Sequence, residues 1–244
     1  MREVTFDESV ASSYDEDSAG MFDPAVLGPT VDRLVELADG GPALEFAVGT
    51  GRVAVPLAAR GVPVTGIDVS APMLDRLRAK PGADAVTAAL GDVTGTRVEG
   101  EFALVYLVFN TIMNVTTQAG QVATFRNAAA HLRPGGRFVV EVMVPALQRL
   151  APGERVHAFT VTPARLGFDE YDVATQRMWS HHYWLDGGRM RTSSIAFRYA
   201  WPAELDLMAE LAGMRLEHRW ADWQRAPFTG ESTFHVSVWR TPEG

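Results

Sequence analysis

The sequence predicts an α/β fold of the doubly wound kind: a mostly parallel sheet with helices on both faces, and an antiparallel β insertion after the fifth strand. Three observations carry the prediction. A short apolar run, Ala43 to Val48, breaks at Gly49-Thr50-Gly51 and passes at once into a helix-like run with Val53, Pro56 and Leu57 on one face. Strand, glycine turn and helix form the opening unit of such folds. Apolar strands then alternate with amphipathic stretches throughout 26–144, the pattern of a parallel sheet whose crossovers are helices. After residue 150 the pattern changes to long extended stretches, 155–164 and 177–201, with a turn at Asp186-Gly187-Gly188, a composition that favours a tight hairpin.

Each element follows in order. Residues 1–20 are a polar, acidic stretch in which Tyr14 stands out, and two readings stay open: a mobile tail, or a lid over a ligand. Val26, Leu27, Val31, Leu34, Val35 and Leu37 recur at helical spacing, which predicts a helix over 25–38. The helix behind the glycine turn covers 52–59, and Val62 to Ile67 is a second strand ending in Asp68. Ser70 is the expected N-cap of a helix opening at Ala71-Pro72, because its hydroxyl can take a free N–H and proline suits the first turn. Ala85 to Leu90 reads as the third strand and Phe102 to Phe109 as the fourth. Val122, Phe125, Ala129 and Leu132 mark a helix that Arg133-Pro134-Gly135-Gly136 should stop, and Phe138 to Val144 is the fifth strand. Three or four antiparallel strands are expected in the insertion, then a helix over Ala203 to Leu211 and a final pair, Met214 to Trp220 and Phe234 to Trp239. The chain thus divides into a cap (1–24), a ligand-binding core (25–150), a substrate-side insertion (151–201) and a closing segment (202–244).

Composition excludes several functions. A net charge of −8 and no basic stretch argue against a nucleic-acid partner. There is no run of about 20 apolar residues and no apolar signal segment, so neither membrane insertion nor export is expected, and the cytoplasm is the expected location. With no cysteine there is no thiolate chemistry, and the six histidines lack a paired metal-ligand spacing, so no metal is expected. Lys80 is the only lysine. It falls at the end of a helix and reads as a solvated surface residue.

In sheets of this kind ligands bind beyond the carboxyl ends of the central strands. Those ends here carry Gly49-Thr50-Gly51, Asp68, Gly91-Asp92-Val93 and Phe109-Asn110. Asp68 is placed to accept ribose hydroxyls and Asp92 an adenine amine. Two such carboxylates after successive strands, beside a glycine turn, point to a nucleoside-like ligand. Gly49-x-Gly51-x-x-Ala54 with Asp68 also fits a dinucleotide fingerprint, so an NAD(P)-dependent oxidoreductase is the alternative. Glu45, within the first strand, disfavours it, since a carboxylate beside a pyrophosphate would be repelled.

Residues 43–144 resemble the class I S-adenosylmethionine-dependent methyltransferases. The resemblance rests on Leu44-Glu45-Phe46-Ala47-Val48-Gly49-Thr50-Gly51, on Gly66-Ile67-Asp68-Val69-Ser70 with Met73-Leu74, on Gly91-Asp92-Val93, and on Leu132-Arg133-Pro134-Gly135-Gly136. It implies a Rossmann-like seven-stranded sheet with the last strand inserted antiparallel, and S-adenosyl-L-methionine as cofactor. It also implies cofactor roles for Glu45, Gly49, Gly51, Asp68, Met73, Asp92 and Val93; Ala47, Val69, Gly91, Phe109 and Asn110, beside the same strand ends, are further candidate cofactor contacts. Ala47-Val48 departs from the small-polar pair of many members. The N-terminal Tyr14 and the antiparallel insertion are similar to small-molecule methyltransferases of secondary metabolism, amino-sugar N-methyltransferases above all, in which the equivalent tyrosine lies against the cofactor.

The expected reaction is transfer of a methyl group to nitrogen or oxygen of a small-molecule acceptor, a non-catalytic cofactor-binding protein being the remaining alternative. An amine must be neutral and a phenol ionised to attack, so a base is useful. His181 and His182 are the candidates, and on a strand only one of them can face the pocket. Asn110 is a candidate for holding the cofactor's methionine part or the acceptor. Asn114, Tyr183, Arg198 and Tyr199 are the candidate acceptor contacts. The insertion also suggests a homodimer.

Overall fold

The computed structural model describes residues 8–244. Its main sheet has seven strands in the order β10-β11-β5-β4-β1-β2-β3. They are β1 Ala43–Phe46, β2 Val64–Asp68, β3 Val86–Leu90, β4 Phe102–Leu107, β5 Leu132–Met143, β10 Arg215–Trp220 and β11 Phe234–Arg240. Only β11 runs against its neighbours, pairing antiparallel with both β5 and β10. The helices are α1 Glu8–Asp17, α2 Pro24–Ala38, α3 Ala54–Ala59, α4 Ala71–Arg78, α5 Gln118–His131 and α6 Pro202–Leu211. None among the described residues is long and apolar enough to cross a membrane.

The centre of the sheet is apolar on both faces because helices cover both. Every residue of β1 and of β4 is buried. Successive β4 side chains separate onto the two faces: Phe102, Val105 and Leu107 join Phe125, Phe138 and Trp239, while Leu104 and Tyr106 join Leu34, Leu57 and Leu74. The local signals that set the helices are explicit. Ser70 Oγ accepts the Met73 N–H at 3.2 Å to open α4, and Asp23 accepts the Ala25 N–H at 2.8 Å to open α2.

A second sheet of four antiparallel strands, β6 Val156–Val161, β7 Arg165–Asp172, β8 Arg177–Asp186 and β9 Arg189–Arg198, follows β5. β8 and β9 form the expected hairpin, closed by Gly187 at φ +53° and Gly188 at φ +78°. Both central positions of this turn need left-handed backbone, which glycine adopts without strain.

Three expectations change. Residues 8–17 form α1 instead of a tail; the part of the expected cap at residues 1–7 falls outside the described residues. Residues 165–172, unassigned from sequence, form β7; Gly167 and the consecutive Asp169-Glu170 obscure their period. The Pro134-Gly135-Gly136 segment lies inside β5, whose register against β4 jumps between Phe102↔Leu132 and Leu104↔Arg137; α5 has already ended at His131.

Candidate active site

The glycine turn after β1 is built on left-handed backbone. Ala47 has φ +55°, Gly49 +55° and Gly51 +80°. A Cβ on Gly51 would lie 2.2 Å from Leu77 Cδ1, so the close approach of α4 requires glycine. At Ala47 the chain carries a Cβ in a conformation that disfavours one. Asp68, at the end of β2, holds the turn in place. Its Oδ2 accepts the Gly49 N–H at 2.7 Å and its Oδ1 the Ser70 N–H at 2.8 Å. Burial pushes its carboxyl up, while these N–H donors pull it back down. Glu45 lies behind the turn, 3% exposed, taking the Tyr106 hydroxyl at 2.9 Å. Burial pushes its pKa up to about 8, opposed by Tyr106, by the Arg52 charge and by the Ala54 N–H.

The strand ends open into one cavity of about 1540 Å³. Tyr14, Ala47, Gly49, Asp68, Val69, Met73, Asp92, Val93, Phe109, Asn110 and Asn114 all border it. Glu45, Gly51 and Gly91 stand behind this wall. Gly91 is required there because a Cβ would meet Thr96 Oγ1 at 2.3 Å. These three shape the loops from within instead of lining the cavity. By contrast, a Cβ on Gly49 would meet no atom closer than Ala47 O at 4.0 Å, which leaves open space over the turn for a nucleoside-bearing cofactor.

The β4 end is held in an uncommon shape. Phe109 and Asn110 both take left-handed backbone, φ +58° and +61°. Glu141 of β5 accepts the Phe109 N–H at 2.9 Å with one oxygen and the Trp223 Nε1–H at 2.9 Å with the other. Asn110 Oδ1 accepts the Met143 N–H at 2.7 Å, so this side chain ties β4 to β5. Arg52 lies over the Phe109 ring at 5.1 Å.

Helix α1 covers the cavity through Val10, Tyr14 and Asp17, with Ser18 just beyond its end. Burial pushes the Tyr14 hydroxyl up. Asp15 anchors the helix to the glycine turn: it accepts Thr50 Oγ1 at 2.6 Å and pairs with Lys80 Nζ at 2.5 Å, and Lys80 also reaches Thr50 Oγ1 at 2.9 Å. The lysine expected on the surface is therefore a tie between the segment after α4, the turn and the cap. Asp15, Lys80, Arg52 and Glu141 escaped sequence reading. Only the solitary lysine beside the motif helix offered a signal, and it pointed the other way.

The second sheet forms the opposite wall. Its cavity face carries Met178, Ser180, His182 and Trp184 of β8, alternate positions on the strand. His181 and Tyr183 consequently face away, His181 against Phe168 at 4.9 Å and Tyr183 stacked on the same ring at 5.8 Å. His182 borders the cavity with both ring nitrogens engaged, Nε2 at 3.2 Å from Ser180 Oγ and Nδ1 at 3.4 Å from the Arg165 guanidinium. Burial and the Arg165 charge hold its pKa below the ordinary value. Arg198 and Tyr199, expected at the acceptor, lie in the core instead. Arg198 is 4% exposed and pairs with Glu204 at 2.7 Å and Gln176 at 3.0 Å, tying β9 to α6. Tyr199 packs on Tyr171 at 5.6 Å. Packing of Tyr199 on Tyr171 and the ion pair of Arg198 with α6 take both side chains away from the acceptor.

The methyltransferase-domain family matches residues 43–136. The cypemycin N-terminal methyltransferase of a Streptomyces species is 29% identical over 93% of this chain and 94% of that protein. The structure of the CcbJ methyltransferase from Streptomyces caelestis superposes with a TM-score of 0.86 at 38% identity, covering 99% of this chain and 100% of the other. S-adenosylmethionine-bound CalS10, an amino pentose methyltransferase from Micromonospora echinaspora, shares the fold with a TM-score of 0.64 at 20% identity, over 87% and 89% of the two chains. A seven-stranded sheet with one reversed strand, a glycine turn held by a strand-end aspartate, and a relative matched end to end lead to one conclusion: the chain belongs to the class I S-adenosylmethionine-dependent methyltransferases, with S-adenosylmethionine as its cofactor.

Proposed function

We propose that the enzyme methylates a nitrogen atom of a small, secondary-metabolite-like amine. The observation that carries this is the two-walled cavity. One wall is the set of strand-end loops under α1, the other the second sheet, and the volume of about 1540 Å³ exceeds the roughly 300–1,000 Å³ of an ordinary single-ligand site. There is room for cofactor and acceptor together. S-adenosylmethionine, when bound, supplies an electrophilic methyl group on a sulfonium. The residues that would hold it are Asp68 and Asp92 toward its nucleoside, the Ala47 to Gly49 backbone toward its centre, and Tyr14, Phe109 and Asn110 around the remainder. Glu45, Gly51 and Gly91 support these loops from behind. Met73 and Val93 supply apolar walls.

Nitrogen is favoured over oxygen on two grounds. The N-terminal methyltransferase similar to this chain acts, by its name, on an amine. His182, the imidazole expected as a base on this wall, is committed at both nitrogens, whereas an amine needs only a proton acceptor of modest strength. Positioning supplies the remainder, since holding nucleophile and methyl in line removes most of the entropic barrier. The test is incubation with methyl-labelled S-adenosylmethionine and matched sets of small amines and phenols. Label on the nitrogen of amines is expected; label on hydroxyl acceptors alone would refute the assignment.

A further inference from the structure

The acceptor wall contains a directed polar array that none of the roles above requires. Asp169 of β7 borders the cavity and is 6% exposed. Its cross-strand neighbours are His157 of β6 and Ser180 of β8. The Ser180 hydroxyl lies beside the Asp169 carboxylate and stabilises its charged form, and Ser180 Oγ meets His182 Nε2 at 3.2 Å. Beyond it Arg165 meets His182 Nδ1 at 3.4 Å.

The direction of each bond follows from the groups. A guanidinium only donates, so His182 Nδ1 accepts. A neutral imidazole then carries its hydrogen on Nε2 and donates to Ser180 Oγ, which leaves the serine's own proton free to turn to its cross-strand neighbour Asp169. Arg165 and His182 thus donate toward the side of the wall that holds this carboxylate. One serine proton does not exhaust the roughly four acceptor sites of a carboxylate. Burial pushes this carboxyl up, partly offset by Ser180 and by the neighbouring His157 and His181, which makes it a better proton acceptor than a solvated aspartate. Phe159, Trp184, Met178 and Ile195 supply aromatic and apolar surface on the same wall.

We propose that Asp169 selects the acceptor: it binds the ammonium form of the amine and takes the proton that must leave before nitrogen can attack. In that step an N–H bond breaks, its electron pair stays on nitrogen, and the proton goes to an Asp169 oxygen. An ammonium offers the carboxylate both charge and donors; an alcohol of the same shape offers one donor and no charge. The inference rests on nitrogen methylation at this cavity. It goes further by naming the residue and the charge state that define the acceptor class.

The experiment uses the full chain saturated with S-adenosylhomocysteine, with calorimetric titration of 2-phenylethylamine and of 2-phenylethanol at neutral pH. The amine should bind about tenfold more tightly, the scale of a charge-assisted hydrogen bond to a buried group. Asp169→Asn should abolish the preference, Asp169→Glu should retain part of it, and S-adenosylhomocysteine affinity should be unchanged in both. Asp169→Ser gives the same readout if the asparagine variant fails to fold. Equal binding of the two probes by the wild-type protein, no binding of the amine, or a preference that survives in Asp169→Asn overturns the proposal while leaving the cofactor site intact. Failure of S-adenosylhomocysteine itself to bind would count against the cavity assignment instead.

Discussion

Asp68 commits both carboxylate oxygens to backbone N–H groups, those of Gly49 and Ser70, so it shapes the glycine turn before any ribose arrives. Asp68→Ala should therefore weaken S-adenosylhomocysteine binding by about 1–3 kcal/mol, the cost of stranding such donors, measurable by titration calorimetry; an unchanged affinity would place the ligand elsewhere. Ala47 illustrates the reverse case, a side chain where the backbone prefers none. Its φ of +55° costs a non-glycine residue roughly 1–2 kcal/mol, of which glycine's greater freedom in the unfolded chain returns about half. Ala47→Gly should raise stability by about 0.5–1 kcal/mol in urea titration. His235 is fully buried, with Nδ1 at 2.8 Å from Ser237 Oγ and Nε2 without a partner. Burial drives its pKa down to about 3. Between about pH 6.5 and 3 the unfolded chain takes up a proton that the folded chain refuses, so stability falls as pH falls through that window. The loss should reach about 2 kcal/mol by pH 5, and His235→Gln should flatten this acid limb, as read from urea titrations at pH 7 and pH 5.

At the scale of elements, the cap is held to the core in part by polar ties. A ten-residue helix is not stable alone in water, so α1 depends on the Asp15, Thr50 and Lys80 cluster, with Glu8–Arg76 at 3.2 Å as a further exposed pair. The Lys80 side chain is 24% exposed and that of Asp15 41%, which limits the ion pair to about 1 kcal/mol. Lys80→Met should therefore speed S-adenosylhomocysteine release about fivefold or less and raise amide exchange in α1, with the strands unaffected. Slow exchange in α1 equal to that of β4 in the variant would show that the cap is held by other means. The second sheet is the contrasting element. Its hairpin is set locally by Gly187-Gly188, and strict alternation along β8 then decides which histidine meets the ligand.

For the whole molecule, a cofactor that binds only the folded chain adds its binding free energy to the stability of the fold. A ligand present at 100 times its Kd stabilises by about 2.7 kcal/mol, which for a chain of this size means a Tm increase of roughly 5–10 °C. S-adenosylhomocysteine should produce that shift and NADPH should not, as scanning calorimetry or a thermal shift assay can establish. A rise with NADPH would revive the dinucleotide reading of Gly49-x-Gly51-x-x-Ala54.

The sequence alone determined the parallel sheet, the glycine turn, the reversed final pair and the strand-end aspartates. These are local matters: a hydrophobic period, a capping serine, a turn that demands glycine, each acting over a few residues. What only the tertiary structure decided depends on segments far apart in the chain. Asp15 meets Lys80 and Thr50, Glu141 meets Phe109 and Trp223, and Arg198 meets Gln121 of α5. Polar side chains carry no period, so their partners are fixed by where packing brings the elements together. That is why Arg198 and Tyr199 were read as acceptor contacts and proved to be core, and why Asp169, set in a strand that no pattern announced, became visible only once β7 lay beside β8.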